Sequence, residues 1–147
     1  MIRNCLLAVA ATVVLAASAP AAPAPATVKA AVNDSARPEA DTKRDANRKP
    51  AEMLVFAGIK PGMRVMDLMP GSGYFTRLFA KAVGPNGYVY AYQPTELDQF
   101  FKGKQPPVMA IAAAYPNVSV IHAPVNTLVA PESVSYTHLT LPTICSV

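Results

Sequence analysis

The residues best suited to chemistry lie between positions 65 and 76, which read VMDLMPGSGYFT. An apolar, strand-like run carries an acid, Asp67, near its end. It then crosses a turn containing Gly71, Ser72 and Gly73 and enters a helix-like run. A helix start offers backbone N–H groups that have no partner within the helix, and glycines let a ligand approach the main chain closely. In an α/β sheet this arrangement builds a nucleotide-cofactor site at the carboxyl end of a strand. A dinucleotide site usually carries its ribose-binding acid about 20 residues after the glycines. Here the acid precedes them.

The flanking sequence supplies the elements that hold this turn. Residues 50–57 read as a short helix opened by Pro50 and closed by Gly58, with Met53, Leu54 and Ala57 on one face. Residues 64–68 form the first strand, apolar as a strand covered on both faces should be. Phe75, Leu78, Phe79 and Val83 recur at helical spacing over residues 74–83. Residues 88–92 and 118–122 read as further strands, with a short helical turn at 97–101 and a helix at 108–114 between them. Strand, helix, strand, helix, strand implies parallel pairing with right-handed crossovers. The expected fold class is α/β, a Rossmann-like doubly wound parallel sheet of which only the N-terminal half is present.

The acid-then-glycine order resembles the first motif of class I S-adenosylmethionine-dependent methyltransferases. The wider stretch from about 48 to 133 resembles a branch of predicted, exported methyltransferases. That likeness is carried by Arg48–Glu52, Gly58–Met63, the glycine turn and residues 117–126. The resemblance implies that Asp67 organises the amino-acid end of S-adenosylmethionine, with Pro70, Gly71, Ser72 and Gly73 against it. Three positions depart from the family pattern. Met69 stands where the first glycine is common. Gln93 replaces the acid that accepts from both ribose hydroxyls, keeping one carbonyl acceptor. Pro124 takes the place of an acid near the adenine, leaving Asn126 as the nearest polar substitute. Glu96 reads as a loop acid, and His122 as a polar residue at the sheet rim with no visible partner. The resemblance implies methyl transfer by the intact parent protein. It names neither a methyl acceptor nor a catalytic residue. The alternative is a non-catalytic nucleotide or small-molecule binding module on the same fold.

Both ends read as something other than domain. Arg3, the apolar run 6–17 and small residues up to Ala26 resemble a secretory signal, with cleavage expected between Ala21 and Ala26. Residues 1–26 are therefore expected to be a signal peptide, which implies a periplasmic or secreted protein that meets a membrane only during export. Residues 27–48 alternate acids with bases and lack aromatics, and are expected to form a solvated charged linker or loose helix. Residues 49–133 are expected to be a partial methyltransferase-like domain. Residues 134–143, VSYTHLTLPT, are similar to one reading frame of a transposon-type sequencing-library adapter, so 134–147 is expected to be a non-native tail and the chain an inactive fragment. The two cysteines, Cys5 and Cys145, fall in these end segments. The formal charge of +4 comes from bases interspersed with acids, which gives no nucleic-acid footprint, and no metal-ligand spacing is visible.

Overall fold

Apolar residues on both faces of three short strands decide how this chain folds, because a parallel sheet is covered on both sides. A computed structural model describes residues 23–129. The signal-like segment through residue 22 and the adapter-like tail lie outside the described residues. Strands β1 (Arg64–Leu68), β2 (Tyr88–Pro94) and β3 (Val118–Ala123) form a parallel sheet in the order β1-β2-β3. Val65 pairs with Val89 and Asp67 with Ala91, while Gln93 pairs with His122. This is a partial Rossmann-like α/β fold. The first strand has the bounds expected from sequence. The second and third run one or two residues further, because the ladder continues through Pro94 and Ala123.

Among the described residues six α-helices accompany the sheet: α1 (Ala26–Val32), α2 (Glu39–Thr42), α3 (Asp45–Arg48), α4 (Pro50–Phe56), α5 (Tyr74–Val83) and α6 (Ile111–Ala114). Helix α5 buries Leu78, Phe79, Ala82 and Val83 against Val65, Val89, Ala91 and Val118 on one sheet face. Leu54 of α4 joins this cluster, whereas Met53 stays exposed. The other face gathers Met66, Leu68 and Tyr92, flanked by Met69, Tyr90, Ile121 and Leu128. The Tyr92 hydroxyl donates to the Pro124 carbonyl at 2.6 Å, tying the segment after β3 to this face. The Asn117 amide donates to the carbonyls of Ala80 and Gly84 at 2.8 and 3.0 Å, satisfying orphan acceptors at the end of α5. Residues 108–114 were expected to be one helix. They divide into a 3₁₀ turn at Pro107–Ala110 and the short α6.

The charged segment 27–48, expected to be a solvated linker or loose helix, is helical but packed. Helix α1 packs on α5 and α4, with Val28 and Ala31 fully buried. Arg37 and Asp41 are buried too, and each is matched by an opposite charge. Arg37 forms a two-pronged pair with Asp45 at 2.7 and 2.8 Å, and Asp41 accepts from Arg77 of α5 at 2.8 Å. Two-pronged guanidinium–carboxylate pairing is among the stronger polar contacts available to a side chain. Charge alternation that reads as solvation along the chain is complementarity across the fold.

Candidate cofactor site

The chain leaves β1 through Met69, whose N–H donates to the Tyr92 carbonyl at 2.9 Å. Its φ is +56°, a left-handed conformation that a side chain usually avoids and glycine accepts. Met69 thus adopts the backbone of the glycine it stands in for. Gly71 and Gly73 follow at φ +57° and +75°. A Cβ on Gly73 would fall 1.8 Å from Cδ1 of Ile111, so α6 closes directly over the turn. The Gly73 N–H returns to the Pro70 carbonyl at 2.8 Å. Among the described residues, the N–H groups of Gly71 and Ser72 have no backbone partner. They remain donors at the start of α5.

A cavity of about 150 Å³ opens at this turn. It brings together Asp67, Met69, Pro70, Gly71 and Ser72 with Tyr74 and Phe75. Its remaining wall is Arg44 and Arg48, which sequence reasoning assigned to the linker. Asp67 is nearly inaccessible, and the Thr76 hydroxyl donates to its Oδ2 at 2.6 Å. Burial pushes its carboxyl up to about 7, partly offset by the Thr76 hydrogen bond. The site therefore holds an acid that titrates near neutrality in the absence of a cationic partner.

Tyr74 anchors the arginine wall. Its hydroxyl donates to Asp45 at 2.6 Å, and burial together with that carboxylate pushes the phenol well above its ordinary value. The guanidiniums of Arg37, Arg44 and Arg48 all lie within 5.5 Å of its ring centroid. The Arg37 hydrogen bonds hold Asp45 below the usual carboxylate range. Arg44 reaches the Ser72 hydroxyl at 3.4 Å. Met69 both lines the cavity and leans on the apolar cluster around Tyr92.

The other expected contacts sit elsewhere. Gln93, next to last in β2, lies on the same sheet face as Asp67 but does not line the cavity. It is fully buried. Its Nε2 donates weakly to the Pro94 carbonyl at 3.4 Å, and its Oε1 has no partner among the described residues. A buried acceptor without a donor costs about 1–3 kcal/mol. Asn126 is exposed in a 3₁₀ turn, Val125–Thr127, and is absent from the cavity. Glu96 does not stand free in its loop. Both its oxygens accept from the Val125 N–H, at 3.0 and 3.1 Å. His122 does have a partner, Asp98 Oδ1 at 2.9 Å. Among the described residues, no group of His, Cys, Asp and Glu has the geometry of a metal site.

Residues 28–97 match the family model described as protein-L-isoaspartate(D-aspartate) O-methyltransferase. A 37-residue stretch is 50% identical to the ubiquinone/menaquinone biosynthesis C-methyltransferase UbiE of Burkholderia vietnamiensis. That match takes in 25% of this chain and 15% of the relative, so the chain spans a small part of the curated relatives it matches. Among solved structures, an S-adenosylmethionine-dependent methyltransferase from Aquifex aeolicus is 26% identical with a TM-score of 0.43, covering 65% of this chain and 51% of that one. Aeropyrum pernix fibrillarin, solved with natively bound S-adenosylmethionine, is 18% identical with a TM-score of 0.36, covering 45% and 26%.

Proposed function

We infer that this chain, which belongs with the class I S-adenosylmethionine-dependent methyltransferases, carries the binding site for that cofactor, and that the intact protein transfers its methyl group. One observation carries the reading: a buried acid, glycine-turn N–H donors and two guanidiniums converge on one cavity at the carboxyl end of β1. The residues present fit the group. A cavity of about 150 Å³ is smaller than the roughly 300 Å³ of a whole small-molecule site. That size would suit the amino-acid end of the cofactor.

When bound, the cofactor supplies a methyl group on a positively charged sulfur, open to in-line attack. The chain contributes positioning. Asp67 would hold the ammonium, the Gly71 and Ser72 N–H groups would be free to donate to the ligand, and Tyr74 and Phe75 would wall off water. Ligand titration calorimetry of the full chain with S-adenosylmethionine and S-adenosylhomocysteine tests this. Stoichiometric binding that Gly71→Val reduces at least tenfold is expected. Absence of heat at millimolar ligand would remove the reading.

A second reading, a binding module without methyl transfer, is favoured by Met69 inside the cavity and by the orphan Oε1 of Gln93. It predicts cofactor binding with no labelled methyl passed to any acceptor. Export remains our proposal for location, resting on Arg3 and the apolar run after it. N-terminal sequencing of protein recovered from a periplasmic extract checks it, with a start between residues 22 and 27 expected. No helix among the described residues is long and apolar enough to cross a membrane.

A further inference from the structure

The chain leaves β2 through a 3₁₀ helix, Thr95–Phe101, and then turns sharply. Residues 99–105 read QFFKGKQ, and all of them except Phe101 are exposed. Lys102 and Gly103 take positive φ, +51° and +76°, and the Lys104 N–H donates to the Phe101 carbonyl at 3.0 Å. Two successive left-handed residues closed by such a bond make a tight reversal. The reversal gathers Phe100, Phe101, Lys102 and Lys104 at one loop tip. Phe100 is 69% exposed. A lone exposed ring is ordinary on a protein surface, but this one sits beside two cations. Charge is sorted along the segment. Glu96 and Asp98, at its start, are engaged by the Val125 N–H and by His122. Lys102 and Lys104 have no ion pair among the described residues. No acid stands between Asp98 and Glu132 in the sequence. The acids are spent on contacts of the fold and the lysines are not.

We propose that the tip at residues 100–104 docks this protein on an anionic phospholipid surface, with Phe100 in the headgroup layer and Lys102 and Lys104 on lipid phosphates. Such a surface satisfies both kinds of side chain at once. An aromatic ring settles at the boundary between headgroups and acyl chains, and a lysine lays its stem along that boundary while its ammonium stays at the phosphates. Negative surface charge adds to the attraction of each lysine. A folded protein partner fits the tip less well, because a stable protein interface covers about 800 Å² on each side. One ring and two lysines make the attachment weak and reversible. Parallel strands put the end of β2 and the glycine turn after β1 at the same edge of the sheet. Docking therefore brings that edge toward the bilayer. The proposal is independent of what the glycine turn binds.

The chain contains no tryptophan, so Phe100→Trp in the full chain places one fluorescent reporter at the tip. The position is exposed, so the fold is expected to keep its melting temperature. Titration with vesicles of mixed phosphatidylglycerol and phosphatidylcholine is expected to shift the emission to the blue, and lipids with brominated acyl chains to quench it. Adding Lys102→Gln/Lys104→Gln is expected to weaken this response by roughly 25-fold, about fivefold for each lysine. Vesicles of phosphatidylcholine alone, or molar salt, are expected to weaken it similarly. Lys60→Trp, before β1 at the opposite edge of the sheet, is expected to stay unquenched; that local comparison separates docking of the tip from attachment through the apolar run at 6–17. No shift in Phe100→Trp, or a shift indifferent to lipid charge and to the two lysines, overturns the proposal. A blue shift that grows with protein concentration without lipid assigns the tip to a second copy of this chain, and overturns it as well.

Discussion

Asp67 is the residue whose chemistry depends most on its surroundings. An aspartate exposed in the unfolded chain titrates near 3.8, and burial in the fold raises this to about 7. The folded state therefore holds its proton more tightly than the unfolded state does. The stability this contributes is complete below about pH 4 and is lost as pH rises through 7, an effect on the order of a few kcal/mol. In Asp67→Asn the amide oxygen still accepts from Thr76, but nothing titrates. Thermal melts of the ligand-free protein from pH 4 to 8 should show a falling Tm in the wild type and a flatter profile in the variant. Because the same change removes the partner of a ligand ammonium, S-adenosylmethionine affinity should fall while the protein becomes more stable at pH 8. A loss of stability at pH 8 would show that the charged carboxylate is wanted by the fold itself.

At the scale of elements, the glycine turn is set by α6 as much as by β1. Gly73→Ala meets two obstacles, a positive φ and the Cδ1 of Ile111. Together these should cost roughly 2–4 kcal/mol. Gly71→Ala meets only the first, since nothing lies within 4 Å of its added Cβ, and should cost about 1–2 kcal/mol. Trimming the obstruction in Gly73→Ala/Ile111→Val should recover about 1 kcal/mol relative to the sum of the single changes, read from urea midpoints. Strict additivity would mean that α6 does not press on the turn. The bounds of β1 and α5 were legible because both follow local rules: an apolar run stopped by turn residues, and a 3.6-residue period. The end of β2 was not, since Gln93 and Pro94 join the ladder only through His122 and Ala123 on another strand. The partner of His122 was hidden for the same reason, lying 24 residues away.

For the molecule as a whole, the described fold is one sheet with helices from both sides of β1 in sequence packed on a shared core. The segment before residue 49 escaped sequence reading as a packed element because its contacts are long-range. Asp41 meets Arg77 thirty-six residues later, and Tyr74 meets Asp45 across twenty-nine. Local composition records the charges and not their partners. Arg44 and Arg48 were missed on the same account, although their spacing of four was a usable signal for a shared helix face. Removing residues 1–48 should therefore do more than shorten a linker. It exposes the α5 surface under Val28 and Ala31 and strands Arg77 without its acid. A buried valine contributes about 1.5–3 kcal/mol and breaking a partly buried ion pair adds to that, against a total of about 5–15 kcal/mol for a domain. The shortened chain should melt without a cooperative transition in circular dichroism. A sharp melt near that of the parent would return the segment to the status of a linker.

The guanidiniums of Arg44 and Arg48 beside Tyr74, which have no carboxylate partner among the described residues, also bear on how this protein is handled at the bench. Small oxyanions in a storage buffer would settle between them, raising the melting temperature and competing with whatever the cavity was made to hold. Phosphate or sulfate would make the preparation look sturdier and bind worse, and a Tris chloride medium would reveal its affinity.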